Sequence, residues 1–143
     1  MNLKALTKES AEVISSFHDK HFPDGWNLDM LLSAFGTGRF KCVGAFIEDQ
    51  LIGLITYSIG LDDADIEGIV VNEEFRRRGV ATKLFDFALL DIKNNGIEKL
   101  LLEVRASNSP AISFYKSKGF TQISVRKKYY PDGEDAFIFV KEI

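Results

Sequence analysis

Three consecutive arginines, Arg76, Arg77 and Arg78, stand directly before Gly79-Val80-Ala81. Upstream, residues 66–71 form a short apolar run that reads as a strand. Downstream, Val80, Leu84, Phe87, Ala88 and Ile92 recur at helical spacing. A loop of this composition between a strand and a helix start is suited to a phosphate or pyrophosphate. The helix N-terminus offers unpaired N–H groups and a partial positive charge. Gly79 has no Cβ to block a close backbone approach, Ala81 keeps the first turn slim, and guanidinium groups add charge-assisted contacts to phosphate oxygens. The motif is neither G-x-x-x-x-G-K-[ST] nor G-x-G-x-x-G, which sets aside a nucleoside-triphosphate loop and a dinucleotide fingerprint. Gly36-Thr37-Gly38-Arg39 leads into a strand and is not a phosphate loop. The alternative for the arginines is a solvated basic patch, and their strand–loop–helix placement argues against it.

The rest of the chain supplies the elements that must hold this loop. Residues 2–6 read as a first strand. Thr7 can cap a helix to about residue 21, with Ala11, Ile14, Phe17 and His21 on one face. Pro23-Asp24-Gly25 reads as a turn, and Asn27 can cap a second helix carrying Leu28, Leu31, Leu32 and Phe35. Residues 39–47 and 51–59 read as strands around Glu48-Asp49-Gln50, and residues 62–65 as an acidic turn. Asn94-Asn95-Gly96 ends the helix that begins at Val80. Residues 99–104 are apolar enough for a strand covered on both faces. Ser109 is the expected cap of the next helix, with Pro110 in its first turn. Residues 120–130 and 134–141 form a last hairpin around Pro131-Asp132-Gly133. The order β-α-α-β-β-β-α-β-α-β-β predicts one mixed α/β domain over residues 1–143.

Composition fits that reading. Of 143 residues, 45% are hydrophobic and 27% charged, ordinary for a globular protein, and the formal net charge of −3 argues against a dedicated nucleic-acid binder. The charge is divided unevenly: residues 1–75 hold 5 Lys/Arg and 13 Asp/Glu, whereas residues 76–143 hold 13 and 8. The lone Cys42 excludes an internal disulfide, and its strand alternates it with Phe40 and Phe46, as expected of a buried thiol rather than a nucleophile. His18 and His21 have no companion ligand cluster, so no metal is expected. The absence of a signal-peptide core and of a long apolar run predicts a cytoplasmic protein with no membrane partner.

Arg76-x-x-Gly79-x-Ala81 after Ile69-Val70-Val71 resembles the acetyl-CoA signature of the GNAT family of N-acetyltransferases, Q/R-x-x-G-x-G/A. Three further segments match in the family's order. They are residues 102–108 (Leu-Glu-Val-Arg-Ala-Ser-Asn), residues 111–120 around Phe114-Tyr115, and the Tyr129-Tyr130-Pro131-Asp132-Gly133-Glu134-Asp135-Ala136 hairpin. The close match spans residues 66–140, and its last segment looks like the branch that acetylates protein N-termini. The resemblance implies a mostly antiparallel sheet of about seven strands with four helices, splayed between the fourth and fifth strands, and acetyl transfer from acetyl-CoA to an amine. Ile69, Val70 and Val71 would then offer backbone contacts to the acetyl and pantetheine parts. Arg76, Arg77, Arg78, Gly79, Val80 and Ala81 would hold the pyrophosphate, and Asn108 would bond the pantetheine arm. Glu103 would be the general base and Tyr115 the acid that protonates the leaving thiolate. Tyr129, Tyr130, Glu134 and Asp135 would flank the entrance for a protein N-terminus, a ribosomal protein in particular.

Alternatives stand beside each role. Glu103 shares a strand face with Arg105 and could be its structural partner, while Asp65 and Glu67 are rival bases. Tyr115 could simply pack near Phe114 and Phe120, Asn108 could be a cap, and Trp26 could line either the peptide groove or the core. At the level of function, the alternatives are an acetyltransferase for a small-molecule amine and a CoA-binding sensor without turnover. Arg126-Lys127-Lys128-Tyr129-Tyr130 lacks the second basic-aromatic stretch that a nucleic-acid platform would need.

Overall fold

The computed structural model describes residues 1–22 and 25–143. β1 (Asn2–Leu6) leads through a 3-10 turn (Lys8–Ser10) to helices α1 (Ala11–His21) and α2 (Leu28–Gly36). β2 (Phe40–Ile47), β3 (Gln50–Ile59) and β4 (Ala64–Val71) follow. Next come α3 (Val80–Asn94), β5 (Lys99–Arg105), α4 (Ser109–Ser117) and the hairpin β6 (Thr121–Arg126) and β7 (Ala136–Glu142). The seven strands form one sheet in the order β1-β2-β3-β4-β5-β7-β6. Every neighbouring pair is antiparallel except β4–β5. This is the mixed, mostly antiparallel sheet with four helices that the resemblance implies.

Strand alternation sorts the core into two layers. Val43, Ala45, Ile55 and Tyr57 pack with Leu84, Phe85, Ala88 and Ile92 of α3 and with Tyr115 of α4. Cys42, Leu54 and Val70 point the other way, onto Ile14, Phe17 and Leu31 of α1 and α2. The sheet is thus covered on both faces. One buried polar tie crosses the α3 layer, where the Tyr57 hydroxyl donates to Asp91 Oδ2 at 2.6 Å. Burial pushes the Tyr57 phenol far above its ordinary range, and Asp91 adds to the shift.

The elements depart from the sequence expectation in ways that tertiary packing explains. Thr7 does not cap the first helix; its hydroxyl donates to Glu9 Oε2 at 2.6 Å, and a 3-10 turn precedes α1. Asn27 does cap α2, accepting the Met30 amide at 2.9 Å. On α3 the buried aromatic is Phe85 and not Phe87, because Phe85 meets Phe114 and Phe120 edge-on, at 6.2 and 6.0 Å between centroids. The last hairpin has shorter strands and a longer loop than expected, residues 127–135. The turn expected at Pro23-Asp24-Gly25 lies partly outside the described residues. Among these residues no helix is long and apolar enough to cross a membrane.

His18, rather than His21, occupies the buried stripe of α1. Its Nδ1 accepts the Trp26 amide at 2.9 Å, which ties the chain after α1 back onto the helix. Burial pushes the His18 pKa down to about 4 from an ordinary 6.5. The unfolded chain therefore takes up this proton first as pH falls. Stability that is complete above pH 6.5 is lost between about 6.5 and 4, up to about 3 kcal/mol from this one group. Urea unfolding midpoints measured across that window should fall in the natural protein, and His18→Gln should remove most of that slope.

Candidate active site

β4 and β5 run side by side in parallel, but their ladder joins only Ala64, Asp65 and Ile66 to Leu100, Leu101 and Leu102. Beyond it a groove of about 820 Å³ opens between the two strands. Two features of β4 shape this opening. Thr56 sits opposite Gly68 while Tyr57 sits opposite Ile66, so Glu67 is the extra residue of a β-bulge. The bulge reverses the alternation: Ala64 and Ile66 face the α3 layer before it, whereas Ile69 and Val71 do so after it and Val70 faces α1 and α2. At Gly68, which lines the groove, an added Cβ would meet no heavy atom within 4 Å.

Carboxylates gather on the α1/α2 face of this opening. Leu102 and Val104 point into the α3 layer, which puts Glu103 and Arg105 on the opposite face. Asp65 and Glu67 join them, and the Ser58 hydroxyl donates to Glu67 Oε1 at 3.1 Å. Glu67 follows the last ladder residue of β4 and Glu103 that of β5, and both line the groove. Burial raises Glu67 above the usual carboxylate range, and Asp65 and Glu103 add like-charge repulsion. Burial also raises Asp65, with Asp63 and Glu103 adding to it. The Glu103 carboxylate holds the Tyr129 phenol above its ordinary range. Arg126 Nε forms an ion pair with Glu103 Oε1 at 3.5 Å.

Tyr115 approaches from the other layer. It lies in the core beneath α3, its ring edge-on to Phe114 and Phe120 at 5.6 Å, and it also lines the groove. Burial pushes its hydroxyl well above the ordinary phenol range, so it stays protonated at neutral pH. Asn108 lines the same groove and is the actual cap of α4, accepting the Ala111 amide at 3.3 Å. The expected cap, Ser109, is the first residue of the helix.

The arginine loop follows the end of β4. Asn72 caps a 3-10 turn (Glu73–Phe75) by accepting the Glu74 amide. Arg77 (φ 64) and Gly79 (φ 79) are both left-handed, and such turns collect backbone N–H groups into anion-binding concavities. α3 then begins with neither a side-chain cap nor an acidic residue in its first turn, so its leading N–H groups remain for a ligand. Arg76 donates from Nε to the Val71 carbonyl at 3.2 Å, and Arg78 lies 5.2 Å from the Phe75 ring centre. Both contacts anchor side-chain stems near the helix start.

At the opposite wall, Tyr129 and Tyr130 line the groove and meet edge-on at 5.1 Å. Glu134 and Asp135 do not line it; they are engaged within the hairpin. Glu134 accepts Arg105 Nη1 at 2.9 Å and the Ser107 amide at 3.1 Å. Asp135 accepts the Lys128 amide at 2.9 Å and Lys127 Nζ at 3.2 Å. These bonds hold both carboxyls below their usual range. Cys42 is buried, its thiol pushed up to about 12. Trp26 packs on Phe40 at 4.9 Å, beside a smaller pocket that shares Asp65 and Glu67 with the groove. The sequence reading missed the bulge at Glu67 and the roles of Arg126 and Gly68. Arg126 was visible only as part of a basic run, and its pairing with β5 depends on strand order.

Comparison with known proteins places this geometry. The chain is 29% identical to the [ribosomal protein bS18]-alanine N-acetyltransferase of Salmonella typhimurium, in a match covering 91% of this chain and 97% of that protein. It is 42% identical over 79 residues to an N-alpha-acetyltransferase of Saccharolobus solfataricus, covering 54% of this chain and 47% of the relative. The crystal structure of the ribosomal-protein-S18-alanine N-acetyltransferase from Escherichia coli superimposes with a TM-score of 0.90 at 27% identity, covering 99% of this chain and 93% of that one. The acetyltransferase (GNAT) family pattern matches residues 6–120, most of the sequence, and the chain belongs to that family.

Proposed function

We propose that this protein moves an acetyl group from acetyl-CoA directly to the N-terminal α-amine of a protein, with a cytoplasmic ribosomal protein as the acceptor. The observation that carries the reading is the opening between β4 and β5. It joins carboxylates on one face of the sheet to a buried phenol from the other. The ribosomal acceptor is supported by the names of the relatives, and a peptide acceptor by the paired tyrosines at the groove wall.

The residues fit acetyl-CoA. The uncapped start of α3 with Arg76, Arg77 and Arg78 suits a pyrophosphate, and the β4 edge from Glu67 to Val71, free of a β5 ladder, offers backbone groups to an amide-bearing arm. Asn108 would bond that arm. When bound, acetyl-CoA supplies the acetyl group as an activated thioester. The acceptor must be neutral to attack it. Near pH 7.4 about a fifth of α-amines are neutral, against about one lysine side chain in a thousand, a difference of about 3 kcal/mol. A carboxylate base is adequate for the former and weak for the latter.

The Glu67–Glu103 pair accepts the amine proton, with Glu103 the member held by Arg126 and Tyr129. Tyr115 returns a proton to the leaving thiolate. Its raised pKa does not oppose this, because burial raises a thiolate in the same surroundings as well.

Three measurements follow. In a mass-spectrometric assay with acetyl-CoA, free peptide N-termini should gain 42 mass units (roughly, one acetyl group), while lysine side chains and polyamines should not; acetylation of polyamines alone would favour the small-molecule reading, and no acetylation at all the sensor. Tyr115→Phe should lower kcat by about 10² or more while leaving the Kd for CoA within about twofold; equal losses in both would remove the acid role. Glu67→Gln and Glu103→Gln should each lower kcat/KM by about tenfold or more, most strongly above the acid limb, where the carboxylates are ionised, and the double variant should lose little beyond the worse single one. Because Glu67 is raised, the acid limb of the natural enzyme should fall above the ordinary carboxylate range. Losses that multiply, or an unchanged limb, would contradict the shared base.

A further inference from the structure

The loop joining β6 and β7 is fastened to the site more tightly than its length suggests. Nine residues, 127–135, separate the two strands, and Arg105 at the end of β5 reaches across to them. Its Nη1 donates to Asp132 Oδ2 and to Glu134 Oε1, both at 2.9 Å. Its guanidinium lies 4.0 Å from the centre of the Tyr130 ring. Glu134 turns its other oxygen to the Ser107 amide, directly before Asn108, and Asp132 Oδ1 accepts the Glu134 amide. The loop closes on itself through Tyr130 N to Glu134 O and Gly133 N to Tyr130 O.

We infer that Arg105 is a positioning residue for the acceptor. It fixes the Tyr129–Tyr130 wall of the groove and, through Glu134 and Ser107, ties that wall to the segment carrying Asn108. The inference rests on the reading of this groove as the acceptor entrance. A planar guanidinium is required, because it must donate to two carboxylates and stack on a ring at once; a lysine ammonium offers the charge without the fork or the flat face. With Arg105 in place, the tyrosine wall stands ready before the acceptor arrives, so binding does not have to order it.

The test is Arg105→Lys, with Glu134→Gln as a second variant acting on the same tie from the loop side. For both, the acceptor-peptide KM should rise about tenfold, kcat should change less than about threefold, and the Kd for CoA should stay within about twofold. Tyr130 also packs against Arg105, so trypsin cleavage after Lys127 and Lys128 should accelerate several-fold in both variants, independently of any catalysis. A fall in kcat at unchanged KM would make Arg105 a participant in the chemistry. Unchanged KM with unchanged cleavage would leave it without a positioning role. Either result overturns the inference. Faster cleavage in a protein that acetylates no peptide would instead count against the acceptor reading of the groove while the tie itself stood.

Discussion

A short ladder governs this molecule. Two parallel strands in the centre of a sheet would ordinarily pair along their whole length, because each unpaired N–H and C=O in a buried sheet is costly. Here β4 and β5 share only three residue pairs and then part. Each strand keeps its outer partner, β3 on one side and β7 on the other, so the sheet remains intact while its middle is open. The bulge at Glu67 turns β4 out of register at that point, and Gly68 leaves room beside it. The exposed backbone edge is thereby available to a ligand that can hydrogen-bond as a strand would.

Opening the sheet at its centre also makes it permeable to chemistry. Acidic side chains reach the gap from the face covered by α1 and α2, and Tyr115 reaches it from the face covered by α3 and α4. In the proposed reaction the amine and the acyl donor approach this gap from opposite faces of the sheet. The uneven distribution of charge along the sequence acquires a structural meaning: the basic second part begins at Arg76, in the loop that opens α3. The acidic first part includes Asp63, Asp65 and Glu67, which line the pocket beside Trp26 and Phe40. The separation is incomplete, since Glu103 comes from the basic part, and Glu134 and Asp135 are consumed in holding the hairpin.

What could be read from the residues alone followed the range of the forces involved. The arginine loop, the Asn27 cap and the helix of α3 depend on neighbours within a turn or two, and all three were legible. The strands from β1 to β5 fall where the apolar runs placed them, while the last hairpin has shorter strands than expected. The misreadings arose where distant contacts decide. Phe85 displaced Phe87 from the core because Phe114 and Phe120 lie on its side of α3. Arg105 entered the reading only as an alternative partner for Glu103 at i, i+2, whereas a hairpin some 30 residues later offers it two carboxylates and a ring. Glu134 and Asp135 were expected to flank the acceptor entrance, and backbone amides and basic side chains of the hairpin and around the end of β5 engage them instead. The bulge at Glu67 left no local trace, since it exists only relative to β3.

Hydrogen exchange with and without saturating CoA tests the central claim most directly, because it reports backbone amides and needs no turnover. The account predicts new protection in residues 67–71 along the open edge of β4 and in residues 79–83 at the start of α3, with the β1–β2 amides unchanged. Protection that spares both segments, or appears only on the outer strands, would contradict the assignment of the β4–β5 opening as the seat of the acyl donor.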